Sequence, residues 1–589
     1  MIDDFRFSPR ANNAHEIAWR PWGKTAFAES EQTGKPVLLS LSAVWCHWCH
    51  VMDETTYSDA RIIAMINDRC IPVRVDNDRR PDVNRRYNMG GWPTTAFLTA
   101  RGEIIDGATY LNPEQMAEAL PKVAAFYASR RDDLLQRRPA AAANDANAVA
   151  EPADEPDADI VAEIVETITD AFDPVHGGFG AEPKFPQVDA LSLLLVRHAL
   201  NHHGRAGEIV SETLREMAGG EIHDRIGHGF FRYATHRDWS VPHYEKMLED
   251  NAKLAALYLD ASLFLDSEDH AAAAGDVIGY LVDTLWLDDP PAFAGSQDAD
   301  ERYYKLDAAG RRNVMPAPEI DRTVYVDWNA LAASALLRGS YLLDRPELVD
   351  TALATLDHLW DTCRAANGMQ HYAGGSVDGL LGDQAHMAAA LLDAYEVTAE
   401  KAYLARAETL ADQTDMNLSL PDGRLADRRH GTDDAGLLAV SVPALDDNAV
   451  MADVLLRLTV YSGKEHFGQR ALGVLGAWAA DVSNYGIAAA RYALALLRLH
   501  AHPAHIVVVG EPEDEQARAL LLAALRAAAP QRTVQLLDLD ADAEDITRAG
   551  YSVEAAPAAY VCAGVTCLEP TADPEAIAAL LDDLLGDRP

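Results

Sequence analysis

Ala43-Val44-Trp45-Cys46-His47-Trp48-Cys49-His50 follows the apolar run Pro36-Val37-Leu38-Leu39-Ser40-Leu41 and precedes helical spacing at Val51, Met52 and Tyr57. Strand, two cysteines two residues apart, then helix is the setting of a redox pair rather than of stray thiols. The partial positive charge of a helix N-terminus favours thiolate, so Cys46 is the candidate nucleophile. Cys49, one turn on, is placed to resolve a mixed disulfide. His47 and His50 either add positive charge or simply lie on the helix surface. Two other readings compete. Cys46, His47, Cys49 and His50 are potential zinc ligands, but ligands this close in sequence do not easily surround one ion tetrahedrally, and no second Cys/His cluster lies nearby, so no metal is assigned. The pair is otherwise a degenerate site that only recognises partners.

Farther on stands Gly90-Gly91-Trp92-Pro93-Thr94-Thr95-Ala96-Phe97-Leu98. In the thioredoxin fold a cis-proline facing the cysteines precedes a strand, and Pro93 resembles it. Together with Val73-Arg74-Val75-Asp76 and Arg80-Pro81-Asp82, these motifs resemble the N-terminal domain of the spermatogenesis-associated protein 20-like family. That family fuses a thioredoxin-like domain to a large helical domain. Trp239-Ser240-Val241-Pro242-His243-Tyr244-Glu245-Lys246-Met247-Leu248 and Gln297-Asp298-Ala299-Asp300 extend the match into that second part. The helical domain of the family resembles six-hairpin glycosidases and N-acylglucosamine 2-epimerases.

At 589 residues the chain needs two to four domains. Half its residues are hydrophobic, yet no apolar run reaches membrane-spanning length. Met-Ile-Asp-Asp-Phe-Arg carries no secretory signal. Six cysteines are no disulfide framework at this length, so a cytoplasmic location is expected. The net charge of -42 argues against a nucleic-acid partner. Lysine scarcity beside acid excess resembles proteins of high-salt cytoplasm, or reflects a GC-rich genome.

The expected architecture is multidomain, α/β plus all-α. Residues 1–135 read as a thioredoxin-like domain and 136–159, rich in Ala, Pro, Asp and Glu, as a linker. Across 160–500 amphipathic stretches fall near 160–171, 187–203, 207–220, 245–265, 269–286, 325–344, 346–365, 382–398, 401–416, 446–461, 465–483 and 487–500. Short and long connections alternate, which puts the long ones at one end. Helices paired in this way predict a closed (α/α)6 toroid, six-hairpin glycosidase-like, rather than a solenoid with uniform turns. Residues 501–589 read as a small C-terminal α/β region without a phosphate loop or dinucleotide fingerprint.

The long loops hold the unusual side chains. Glycoside hydrolysis would draw on Asp224, Asp238, Glu245, Asp298, Asp300 or Asp383, and sugar epimerisation on His243, His371 or His386. Trp239, Tyr233 and Tyr372 are candidates to stack on a sugar ring. Against this, Pro242 and Glu245 read as first-turn residues of the fourth helix, and Asp298 and Asp300 as turn formers. Cys562 and Cys567 read as two unpaired thiols near a strand end, or else as a disulfide that the N-terminal pair reduces. Three functions follow. The first is a thiol–disulfide oxidoreductase in which Cys46 attacks, Cys49 resolves and Pro93 shapes the groove for a client protein or small-molecule disulfide. The second is a carbohydrate-active enzyme with a regulatory thioredoxin domain and a sugar site drawn from Trp239, His243, Glu245, Asp298, Asp300 and Asp383. The third is a non-catalytic scaffold. None calls for a cofactor.

Overall fold

A computed structural model describes residues 5–136, 155–201, 204–313, 316–431 and 434–585. Most of the segment expected as a linker lies outside them. The first unit runs α1 (Lys24–Thr33), β1 (Val37–Ser42), α2 (His47–Glu54), α3 (Ala60–Arg69), β2 (Ile71–Asp76), α4 (Pro81–Tyr87), β3 (Thr94–Leu98), β4 (Ile104–Ala108) and α5 (Pro113–Gln136). Its sheet has the order β2-β1-β3-β4, with β1 parallel to β2 and antiparallel to β3. This is a thioredoxin-like sheet. Both faces of β1 are covered, Leu39 and Leu41 on one side and Leu38 on the other, which is why the strand reads as an unbroken apolar run.

The helical unit then runs α6 (Asp159–Asp170), α7 (Val188–Asn201), α8 (Gly204–Gly219), β5 (Tyr233–Ala234), β6 (Pro242–His243), β7 (Lys246–Met247), α9 (Leu248–Phe264), α10 (Glu268–Tyr280), β8 (Ser296–Gln297), α11 (Glu301–Tyr304), α12 (Ala308–Asn313), β9 (Ile320–Asp321), α13 (Val326–Leu342), α14 (Glu347–Cys363), β10 (Arg364–Ala365), β11 (Gly368–Met369), α15 (Leu381–Thr398), α16 (Lys401–Leu418), α17 (Leu445–Ser462), α18 (Glu465–Trp478) and α19 (Ala490–Ala501). Helices α7, α9, α13, α15, α17 and α19 pack each against the next, and α19 returns to α7. Helices α8, α10, α14, α16 and α18 lie outside their partners, and α6 covers α19. The ring is a closed (α/α)6 toroid.

One device recurs at the ring's mouth. The fourth residue of α9, α13, α15 and α17 is an amide: Asn251, Asn329, Gln384 and Asn448. Each accepts from the backbone N–H and donates to the C=O of a single residue in the incoming loop, namely Phe230, Phe293, Met369 and Leu425. An amide can satisfy both groups at once, so the loops are tied to the first turns of the inner helices.

The fourth helix begins at Leu248, later than its apolar spacing implies. Lys246 and Met247 pair with Gln297 and Ser296. The Lys246 ammonium is buried against the Asp224 carboxylate at 2.6 Å and the His228 carbonyl at 2.7 Å. These bonds hold the chain extended, so Pro242 sits in a strand and Glu245 precedes the helix.

The last unit runs β12 (Ala504–Val509), α20 (Glu515–Arg526), β13 (Thr533–Leu537), α21 (Ala543–Ala549), β14 (Ala558–Ala563), β15 (Thr566–Cys567) and α22 (Ala576–Leu585). Its order is β13-β12-β14-β15, with β12 parallel to β13 and antiparallel to β14. That is the sheet of the first unit again. Each unit also has a cis X–Pro bond just before its third strand, Trp92–Pro93 and Ala556–Pro557. The small α/β region is thus a second thioredoxin-like module. Of the two readings of Cys562 and Cys567, unpaired thiols or a disulfide, the structure has the disulfide. Among the described residues no helix is long and apolar enough to cross a membrane.

Candidate active site

Cys46 is the N-cap of α2, and its sulfur accepts the Cys49 N–H at 3.2 Å. The two sulfurs are bonded. Cys46 is 5% exposed and Cys49 1%, and both belong to the same apolar cluster as the toroid core. The face of the thioredoxin-like domain that carries the thiols therefore lies on the toroid. Trp48, between them, points outward against Tyr110.

Charged groups fix this contact. Arg86 bonds Asp427 at 2.7 Å with both side chains buried, and Arg85 reaches Asp447 at 3.1 Å. Arg6 bridges Asp76 of its own unit and Asp321 of the toroid. Arg232 of the toroid lies over Trp45 and Trp92, 4.4 Å and 5.2 Å from their rings. The Trp45 indole donates to Asp78 at 2.6 Å. Burial, then the neighbouring Asp76, pushes the Asp78 carboxyl up to about 7. At Gly102, with positive φ, a Cβ would lie 2.3 Å from the Gly436 Cα, so two backbones touch where only glycine fits.

The sheet β7-β8-β9 sets a row of carboxylates beside His50, the residue after Cys49. Its register pairs Lys246 with Gln297 and Gln297 with Ile320. The residues one step outward are Glu245, Asp298 and Glu319. Burial, together with Glu245 and Glu319, holds the Asp298 carboxyl up at about 7 despite a bond from the Ala299 N–H. Its Oδ2 lies 3.9 Å from Nδ1 of His50, whose Nε2–H donates to the Val44 carbonyl at 2.7 Å. Burial lowers the His50 pKa, so the neutral ring turns a lone pair towards Asp298. A chamber of about 460 Å³ opens here between the domains, lined by Phe7, Val44, Trp45, His50, Asp298 and Arg322.

Not every sugar-site candidate joins this cluster. His243 does, 3.5 Å from Glu245. Trp239 is fully buried, its indole donating to the His176 carbonyl, so it is a core residue and cannot stack on a ligand. Asp300 caps α11, accepting from the Arg302 and Tyr303 N–H groups. Asp383 belongs to a different group with Asp327 and His371. His371 donates Nδ1–H to Asp383 at 2.9 Å and Nε2–H to the Asp78 carbonyl at 2.7 Å. Burial opposes its charge, but Asp383 and then Asp327 outweigh it and push the imidazole up to about 10. An imidazolium with both nitrogens donating has no lone pair for a metal, although these three residues are close enough together to hold one. His371 instead pins the thioredoxin-like domain to the toroid. His386 is half-buried, and desolvation, then Lys253 and Arg491, drive its imidazole down to about 3.

Residues 9–144 match the family model Thioredox_DsbH, described as a protein of unknown function, DUF255. Human spermatogenesis-associated protein 20 is 24% identical over 96% of this chain and 90% of its own. The thiol:disulfide interchange protein DsbD of Campylobacter jejuni is 35% identical over 16% of this chain and 17% of its own. Cellobiose 2-epimerase from Bacillus thermoamylovorans overlays with a TM-score of 0.46 at 10% identity, covering 56% of this chain and 87% of that one. Along nearly its whole length the chain is similar to the spermatogenesis-associated protein 20 proteins, and over residues 9–144 to the DsbH thioredoxin-like domain.

Proposed function

We propose that this chain carries out thiol–disulfide exchange at Cys46 and Cys49 on small disulfides that enter the chamber between its domains. The observation that carries this reading is a bonded Cys-x-x-Cys pair at a helix N-terminus, shielded by the toroid from any folded client. The similarity of part of the chain to a protein named for thiol:disulfide interchange supports it. In the reducing direction the Cys46 thiolate attacks one substrate sulfur and expels the other as thiolate. Cys49 then attacks the Cys46 sulfur and frees the second half as thiolate, leaving the protein disulfide for an external dithiol to reduce. Pro93, in a cis peptide bond just before β3, is assigned the role of shaping the groove for the substrate. The test follows reduction of glutathione disulfide and of insulin by the reduced chain. Exchange with the small disulfide, lost by roughly a thousandfold in Cys46→Ser and faster than with insulin, is expected. An alkylation pKa of Cys46 at or above the free value of about 8.5, without a reversible Cys46–Cys49 bond, sinks the reading.

A second reading, carbohydrate binding by the toroid, has its own support. A cavity of about 720 Å³ at the ring's mouth is lined by Asp250, Lys253 and Asp446, with Phe185 and Tyr485 each 40% exposed. Half-exposed aromatic faces beside carboxyls suit a sugar. Thermal stabilisation by a sugar panel, absent in Tyr485→Ala, is expected; a flat panel removes this reading.

A further inference from the structure

The second thioredoxin-like module keeps no thiol where the first keeps two. At the end of β12 stands Gly510, and the helix that follows is capped by Asp514, whose carboxylate accepts from the Gln516 and Ala517 N–H groups. Its cysteines lie instead at the other end of the sheet. Cys562 sits directly opposite Cys567 across β14 and β15, and its other neighbour is His505, near the start of β12. A two-residue turn at Gly564 and Val565 joins the strands, with Gly564 at φ +59° as such turns require.

This disulfide is lopsided. Cys562 is buried in a small apolar layer with Val507, Leu537 and Tyr560. Cys567 is exposed on an edge strand of two residues, and Val565 at the tip is fully exposed. One sulfur thus faces water and the other faces the core. The first module shields both of its sulfurs.

The two pairs cannot meet within one chain. The first module touches the starts of α15 and α17 through His371, Asp383 and Asp447. The second touches the ends of the same helices, where Gln535 donates to the Tyr395 hydroxyl and the Tyr461 carbonyl. Helices of 18 residues hold the two modules about 25 Å apart. The N-terminal pair of the same chain therefore does not reach the C-terminal one, and a thiol from outside the chain must open it.

We propose that Cys562–Cys567 is a second thiol–disulfide exchange site, open to small solvent thiols of the glutathione class at the Cys567 sulfur. A thiolate RS⁻ attacks the Cys567 sulfur in line with the S–S bond. That bond breaks, its electron pair stays on the Cys562 sulfur, and a solvent proton converts it to a thiol. A second RS⁻ attacks the thiol-derived sulfur of the mixed disulfide and releases RSSR and the Cys567 thiolate. Two thiols are oxidised and one protein disulfide is reduced. Strand β14 stays paired to β12 throughout, so the sheet survives the opening.

The test uses the full chain, oxidised, with Cys46 and Cys49 replaced by serine, so that its result does not depend on the function proposed above. Glutathione is added, samples are quenched by alkylation, and each cysteine is read by peptide mass. One glutathione disulfide released per chain is expected. In the same background Cys562→Ser is expected to hold glutathione on Cys567 when mixed with glutathione disulfide. The Cys567→Ser counterpart, left with only the buried thiol, is expected to react at least about tenfold more slowly. In the unsubstituted chain the C-terminal pair is expected to open first, by a similar factor. A pair that stays oxidised, Cys562 and Cys567 found free in the oxidised chain as Cys70 and Cys363 are, or glutathione taken up faster at Cys562 overturns the proposal.

Discussion

Two thioredoxin-like modules close the two ends of one toroid, and they differ in where the thiols stand and what covers them. In the first, the pair lies at the end of the central strand and that end is pressed into the ring. In the second, the same strand end carries Gly510 and an aspartate cap, while the cysteines lie on an edge hairpin that faces solvent. The sheet order is shared, so the fold alone assigns chemistry to neither. Placement does: a sulfur at a helix N-terminus gains thiolate character, and a sulfur on an exposed edge gains access.

The contrast extends to docking. The first module is held by buried charge, Arg86 against Asp427, whereas the second adds an exposed pair, Arg526 with Asp344. Removing one partner of a buried pair strands the other. Arg86→Ala is therefore expected to cost about 3–5 kcal/mol in urea unfolding, and a loss below about 1 kcal/mol would make the two interfaces alike.

Opposite pH responses sharpen the comparison further. His371, raised to about 10 from 6.5, stabilises the first module fully below pH 6.5 and loses that contribution as pH rises through its folded value. His505 in the second module is lowered to about 4, chiefly by burial. Its unfolded form takes up the proton first, so stability falls as pH drops below 6.5. Urea midpoints across this range should fall on both sides. His371→Gln should flatten only the alkaline limb and His505→Gln only the acid one; a variant that changes the wrong limb breaks the assignment. The smallest effect is that of Arg526→Ala, expected within about 1 kcal/mol of the parent.

Much of this was legible in the sequence. The apolar run ending in Cys46-x-x-Cys49 marked the first module, and alternating loop lengths marked the ring. The repeated first turns Leu248-Glu249-Asp250-Asn251, Val326-Asp327-Trp328-Asn329, Leu381-Gly382-Asp383-Gln384 and Leu445-Asp446-Asp447-Asn448 were there to be read. Their meaning was not, because an amide that bonds a loop residue some 15 to 36 positions away leaves no local period. The second module escaped for a related reason. Its topology depends on which strands pair, and its thiols have the wrong spacing to announce it. Trp239 misled because an aromatic in a loop looks available until its burial is known, and Glu245 with Asp298 gained meaning only when strand register set them side by side.

Arg232 carries a last consequence. Its guanidinium lies against two indoles that belong to the other domain, an arrangement sustained only while the domains touch. The protein thus contains its own optical reporter of closure. Emission from Trp45 and Trp92, isolated by difference against Trp45→Phe and Trp92→Phe variants, should shift whenever the thioredoxin-like domain lifts from the ring, with no dye or label attached.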